Sequence, residues 1–442
     1  MVIIFVLGYA AIALEHPLRI DKAGSALLIG VLIWSIYMLN GESILSLGHS
    51  PTWGSSEGDV TPFIVHELEH HLVEIAQILF FLLGAMAIVE VIDQHNGFKI
   101  ITDKIKTTKK VKLLWIIGVL AFFMSSVLDN LTSTIVLVAL LRKLIDDKKT
   151  RWIFASIVVL AANSGGAWSP IGDVTTIMLW IGGQITAAAI IKGIFLPSIV
   201  SIVVPLSILS FTLKGEVKRP EIPAGQKDYT TAKEQKTILI IGVASLLFVP
   251  IFKTVTHLPP YMGMMFGFSI LWIVSEIMHA NKSDEYKQKL TVIHILKRLE
   301  LPTIFFFLGI LTAVAALQSA GHLAQMSGWL ENVTNQNYYL INIIIGVLSS
   351  IVDNVPLVAG AMGMYSIDPD SIYFMRDGIF WEFLAYCAGT GGSILIIGSA
   401  AGVAAMGLEK IDFVWYLKKI SLLALAGFLA GGAVFYLENI LF

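Results

Sequence analysis

The chain has 442 residues, 56% hydrophobic and only 14% charged, with a formal net charge of −2. Soluble domains carry about 25% charged residues, so the composition excludes a water-soluble protein; the net charge argues neither for nor against a nucleic-acid partner, and none is expected. The single Cys387 excludes an intrachain disulfide and a cysteine-rich metal site.

A helix needs roughly 20 apolar residues to cross a bilayer. In chain order, full spans are predicted near 2–15, 22–39, 70–93, 187–213, 237–253, 261–279, 301–319 and 415–437. The first reads as a transmembrane helix rather than a cleaved signal, because no basic residues precede it. Two further spans, near 152–184 and 378–408, are long but interrupted by glycine-rich segments, which brings the expectation to about ten full spans. Apolar runs at 111–145 and 338–367 are bent at Asp129-Asn130 and Asp353-Asn354. Their arms are too short for two comfortable crossings, so each is read as a re-entrant helical hairpin; the alternative is one crossing with a polar kink.

The interrupted segments are near-copies. Ser125–Asn130 reads SSVLDN and Asn163–Asp173 reads NSGGAWSPIGD; Ser349–Asn354 reads SSIVDN and Gly389–Ser399 reads GTGGSILIIGS. The copies lie 224 to 226 residues apart, measured from Asp129 to Asp353 and from Gly165 to Gly391, so the chain is an internal duplication. Placing both termini outside puts all but Lys192, Lys253 and Arg376 of the 30 Lys and Arg on the cytoplasmic side. The first hairpin is flanked by many basic residues and the second by Arg376 alone, so the halves are expected to insert with opposite topology. The predicted fold is an all-α polytopic membrane protein: an inverted-topology repeat with two re-entrant helical hairpins and two broken transmembrane helices. Residues 1–213 form the first repeat, 214–236 a cytoplasmic linker and 237–442 the second repeat.

Acids inside a membrane are costly and therefore candidates for function. Asp129, Asp173 and Asp353 are the deepest, with no Lys or Arg expected at the same depth to neutralise them. Buried acids without basic partners imply a mobile cation or protons. A structural alternative makes each Asp the cap of the helix that follows it, most readily Asp173, whose duplicate is Ser399. The glycine-rich breaks are expected to end a helix in mid-membrane and free backbone carbonyls, which is tolerated where they line a cavity. With side-chain oxygens of Asn130, Thr132, Asn163, Ser164, Asn354 and Thr390, they suit Na⁺. Glu74 and Glu382 are candidates for a proton path or for ordinary interfacial hydration, and Glu276 belongs near the headgroups. His66, His70 and His71 are placed at an outer helix start, solvated or titrating near neutrality. His66-Glu67-Leu68-Glu69-His70 is a literal H-E-x-x-H, so an intramembrane zinc protease is a remote alternative. It leaves the duplicated Asp-Asn pairs unexplained.

Together, ILFFLLGAMAIVEVIDQHNGF (Ile78 to Phe98), SSVLDNLTSTIV, NSGGAWSPIGDVTTIMLW, SSIVDNVPLVAGAM and AGTGGSILIIGSAAGVAAMG resemble the NhaD-type Na⁺/H⁺ antiporters of the ion transporter superfamily. The resemblance implies exchange of Na⁺ or Li⁺ for H⁺ across a bacterial inner membrane, without enzymatic chemistry or a cofactor. It also implies a homodimer in which a scaffold holds a moving transport part with both hairpins and both broken helices, an elevator-type arrangement. The scaffold is expected outside 70–184 and 301–408. Anion carriers of the same superfamily are the alternative, with a dicarboxylate as substrate, but the Asp at each hairpin tip opposes an anion.

Overall fold

The computed structural model describes residues 1–13, 20–50, 52–53, 59–220, 230–280, 282 and 290–441. Arg19 and the linker stretch 221–229, with Pro223, lie outside the described residues. Helices dominate: α1 (Val2–Ala13), α2 (Lys22–Leu39), α3 (Val60–Gln94), α4 (Lys110–Leu128), α5 (Asn130–Leu144), α6 (Lys148–Ala167), α7 (Val174–Ile181), α8 (Ala187–Thr212) and α9 (Ala232–Thr256). They are followed by α10 (Pro260–His279), α11 (Leu301–Ser319), α12 (His322–Thr334), α13 (Tyr338–Leu348), α14 (Asn354–Met364), α15 (Ile379–Gly391), α16 (Ala400–Glu409), α17 (Phe413–Lys419) and α18 (Ser421–Leu441).

Among the described residues, eight helices are long and apolar enough to cross a membrane: α2, α3, α4, α8, α9, α10, α11 and α18. One of them, α4, is an arm of the first predicted hairpin. The bent runs and broken spans fall into helix pairs: α4–α5, α13–α14, α6–α7 and α15–α16. Two boundaries differ from expectation. Helix α3 begins at Val60, ten residues before the predicted span, so His66, His70 and His71 lie inside it. The last span is split at Ile420, between α17 and α18.

The helices fall into two packing groups. In one, α2 crosses α11, α3 packs on α10 and α11, and α1 and α9 flank α2 and α10. In the other, α4, α5 and both broken helices pack around one another, α13 packs on α15, and α8 lies against α18 beside them; α14 bridges the two groups, packing on α11 as well as on α7 and α15. Helices α3 and α11 thus pack with α2 and α10. The reason is local. A Cβ on Gly309 would strike the backbone of Ala26 and Leu27, so the small residue lets α11 and α2 touch, a common device where lipid gives no hydrophobic drive between helices. Trp34 Nε1 then donates to Thr312 O at 2.8 Å across the same crossing.

Duplicated residues make duplicated contacts. Ser125 Oγ donates to Ala162 O at 2.6 Å, and Ser349 Oγ to Ala388 O at 2.8 Å. Each ties a hairpin arm to its broken helix. The glycine-rich segments serve the same contact, which corrects the expectation that they unwind the chain. Asn163 to Gly166 remain helical in α6, and Gly389 to Gly391 remain helical in α15. A Cβ on Gly165 would collide with the backbone of Phe122, and one on Gly391 with that of Gly346. The glycines therefore admit the neighbouring hairpin arm, and the chain leaves the helix only afterwards, over Trp168–Asp173 and Gly392–Ser399.

Candidate cation site

Each break is restarted by a polar cap, because the first amides of a helix have no partner within it. Asp129 caps α5 by accepting from Thr132 N and Thr132 Oγ1, both at 2.8 Å. Asp173 caps α7 through Thr175 N at 3.0 Å and Thr175 Oγ1 at 2.9 Å. Asp353 caps α14 through Val355 N at 3.2 Å, and Ser399 caps α16 through Gly402 N at 3.1 Å. Capping occupies one oxygen of Asp173 and of Asp353, and leaves the second oxygen of each for other partners.

Those second oxygens meet different surroundings. Asp173, 1% exposed, turns Oδ2 toward the tip of the first hairpin, where Asn130 Nδ2 donates at 2.7 Å. Asn354, from the tip of the second hairpin, places Nδ2 3.4 Å from both Asp173 oxygens. Asn163, fully buried, completes the cluster. Its Oδ1 accepts from Asn130 at 3.0 Å, and its Nδ2 donates to Ser393 Oγ at 2.8 Å and Ser399 Oγ at 2.9 Å. Asn163 and Asp173 of one half are thus joined to Asn354, Ser393 and Ser399 of the other. Among the described residues no ion pair reaches Asp173.

Asp129 itself carries φ +80° and ψ 161°. That region is essentially reserved for glycine and costs about 1–3 kcal/mol for another residue. A single residue joins α4 to α5 there, so the turn is tight, and the side-chain cap accounts for an Asp in place of a Gly. Its duplicate Asp353 has an ordinary φ of −49°, because the second hairpin unwinds over Ser349–Asp353 before its tip. The absence of a basic partner was expected for all three acids. Asp353 departs from it: Lys22 Nζ lies 3.8 Å from its Oδ2.

The remaining candidates lie elsewhere. Ser164 accepts from Ser201 Oγ of α8 at 2.8 Å, and Thr390 donates back to Tyr386 O of its own helix at 2.6 Å. Both hydroxyls are engaged by partners other than the Asp-Asn cluster. Glu382 stands in the first turn of α15 against Gly193 of α8. His71 Nδ1 lies 3.6 Å from Glu74 Oε2, and His70 joins them within a compact group on α3. This grouping pairs His70 with His71 and Glu74, not with His66 as the H-E-x-x-H reading requires. Glu276 is exposed on α10. A cleft of about 270 Å³ runs between the two packing groups, lined by His71, Glu74 and Gln318 on one side and Met178, Gln184 and Met362 on the other.

Sequence reasoning missed Lys22, Ser393, Ser399 and Thr175. Ser399 carried one signal, as the duplicate of Asp173. Thr175 follows Asp173 at cap spacing. Lys22 and Ser393 gave none, because their contacts join segments far apart in the chain.

The citrate transporter family matches residues 9–389. Sodium/proton antiporter 1 of Arabidopsis thaliana is 46% identical over 98% of this chain and 71% of its own length. Sodium/proton antiporter 2 of the same plant is 44% identical over 98% of this chain and 97% of its own. The Na⁺/H⁺ antiporter NhaD of Vibrio cholerae is 30% identical over 94% of this chain and 87% of its own. With family and relatives both matched over most of its length, the chain belongs to the citrate transporter family of membrane carriers, in the branch of the NhaD-type sodium/proton antiporters.

Proposed function

We propose that this carrier exchanges Na⁺ or Li⁺ for H⁺ at one site shared by both halves. The observation that carries the reading is Asp173, buried between Asn130 of one hairpin tip and Asn354 of the other. An ionised carboxylate in so dry a place needs a cation, and a protonated one does not. Na⁺ and protons therefore compete for the same oxygens, which is what obligatory exchange requires. Asp129 and Asp353 at the tips share the proton-coupling role, with Asn163, Thr132, Ser164 and Thr390 as the candidate oxygen donors of the notional cation shell. Ser164 and Thr390 retain acceptor lone pairs beyond their bonds to Ser201 and Tyr386. Glu74, Glu382, His70 and His71 are candidates for the outer proton path, since His71 and Glu74 line the cleft between the two groups.

The halves are proposed to insert with opposite topology, both termini outside, in the inner membrane of a bacterium. The hairpin group then moves as a rigid body past the group of α2, α3, α10 and α11, and the latter supplies a homodimer contact within the lipid. No cofactor enters. The test is Asp129→Asn and Asp353→Asn, each of which abolishes Na⁺-driven proton movement in inside-out vesicles; normal exchange in both variants rejects the assignment. The family's name raises a second reading, an anion or citrate carrier. Three carboxylates facing the hairpin tips oppose a multivalent anion, and this favours the cation.

A further inference from the structure

Asp129 and Asp353 are duplicates, yet among the described residues a lysine reaches Asp353 and not Asp129. Lys22 begins α2, and its Nζ lies 3.8 Å from Asp353 Oδ2, with the two side chains 26% and 15% exposed. The ammonium is also held 4.5 Å above the centroid of the Phe306 ring on α11, a favourable placement for a partly desolvated cation. Helices α2 and α11 pack together in one group, and Asp353 caps α14, the arm of the other group's hairpin that itself packs on α11. The contact therefore crosses the boundary between the groups. It uses Oδ2, the oxygen left free when Oδ1 caps α14 through Val355 N. Tyr9 of α1 and Asp173 are the other titratable groups that sense the Asp353 charge.

We infer that Lys22 is the resident counter-cation of the second hairpin tip, competing with Na⁺ for Asp353 Oδ2. In the ion-free carrier the ammonium neutralises the tip and docks it on α2 and α11. Na⁺ at Asp353 displaces the ammonium and frees the tip from the neighbouring group. Lys22 then sets the apparent Na⁺ affinity and couples it to the position of the hairpin. This rests on the exchange reading above, because it assigns a competitor at the same oxygen.

The experiment measures initial rates of Na⁺-driven proton movement in proteoliposomes against Na⁺ concentration, for the wild type, Lys22→Gln, Lys22→Arg and Phe306→Leu. Removing the competitor lowers the KM for Na⁺ about three- to ten-fold in Lys22→Gln. Phe306→Leu, which removes the ring under the ammonium, shifts KM in the same direction by a smaller factor. Lys22→Arg keeps the charge and returns KM toward the wild-type value. A role in packing alone lowers the maximal rate without lowering KM. An unchanged or raised KM in Lys22→Gln overturns the inference; if that variant does not assemble, an unchanged or raised KM in Phe306→Leu does so instead. Absence of Na⁺-driven proton movement in the wild type is a different outcome, which rejects the exchange reading and the inference with it.

Discussion

Asn354 Nδ2 lies 3.4 Å from both carboxylate oxygens of Asp173, although the two residues are 181 positions apart and belong to different halves of the duplication. Asn130 donates to Oδ2 of the same carboxylate at 2.7 Å. Asn130 and Asn354 thus both address one buried acid, and a change in its charge is felt at both.

The shorter of these bonds is the more consequential. Hydrogen bonds to charged groups contribute about 1.5–3 kcal/mol; this one favours the ionised Asp173 that takes Na⁺ over the protonated form, which at about 1.4 kcal/mol per factor of ten corresponds to roughly ten-fold or more against the competing proton. Asn130→Ala is expected to raise the KM for Na⁺ by at least that factor, and Asn354→Ala by less. Transport assays over a Na⁺ series check the order; a larger effect in Asn354→Ala contradicts it.

Gly165 and Gly391 admit the neighbouring backbone, so Gly165→Ala and Gly391→Ala each force a hairpin arm away from its broken helix. Overpacking of this kind costs about 1–3 kcal/mol. Both variants should melt earlier in detergent and exchange ions more slowly. Gly407→Ala, with nothing within 4 Å of its added carbon, is the control and should melt like the wild type.

A pH dependence of stability is built into the ends of α3 and α10. His95 is fully buried, with Nδ1 2.7 Å from Val91 O and Nε2 2.8 Å from His279 Nε2. The carbonyl only accepts, so His95 Nδ1 holds the proton, and its Nε2 accepts from His279. Burial lowers the His95 pKa below its ordinary value of 6.5, outweighing the hydrogen bond to Val91 O, which raises it. A base with a depressed folded pKa contributes stability that is present above the unfolded pKa and is lost as pH falls below it. The melting temperature should therefore fall as pH drops from about 7.5 toward 5.5. His95→Gln should flatten that fall, and an equal slope in the variant contradicts the assignment.

Ion choice follows from the oxygen-only donor set proposed above. Na⁺ and Li⁺ should each drive proton movement, and K⁺ should do so poorly, because a compact cluster tied by bonds of 2.7 to 3.4 Å has little room to expand. Equal rates with KCl and NaCl in proteoliposomes contradict a compact site.

The paired Asp-Asn tips were legible in the sequence because a polar pair interrupting an apolar run is rare, and the duplication displayed it twice. The location of the helix breaks was not. Asn163-Ser164-Gly165-Gly166 reads as a breaker by composition, yet its glycines fit a helix against the Phe122 backbone, and the interruption comes a turn later. Pattern alone does not separate a glycine that ends a helix from one that lets another chain approach. A sequence likewise shows the hydroxyls of Ser164 and Thr390 but not the Ser201 or Tyr386 oxygen that engages each. Lys22 was assigned to a cytoplasmic loop by the charge count. Only the packing of α2 on α11 carries it to Asp353.

The central claim is that a cluster of carboxylates and amides exchanges a small cation for protons. The most direct measurement follows lumenal pH in proteoliposomes of the purified protein after addition of NaCl or citrate, with Asp173→Asn in parallel. The account predicts proton movement on adding NaCl, none in Asp173→Asn, and no citrate uptake. Citrate uptake without Na⁺-driven proton movement, or undiminished exchange in Asp173→Asn, would contradict it.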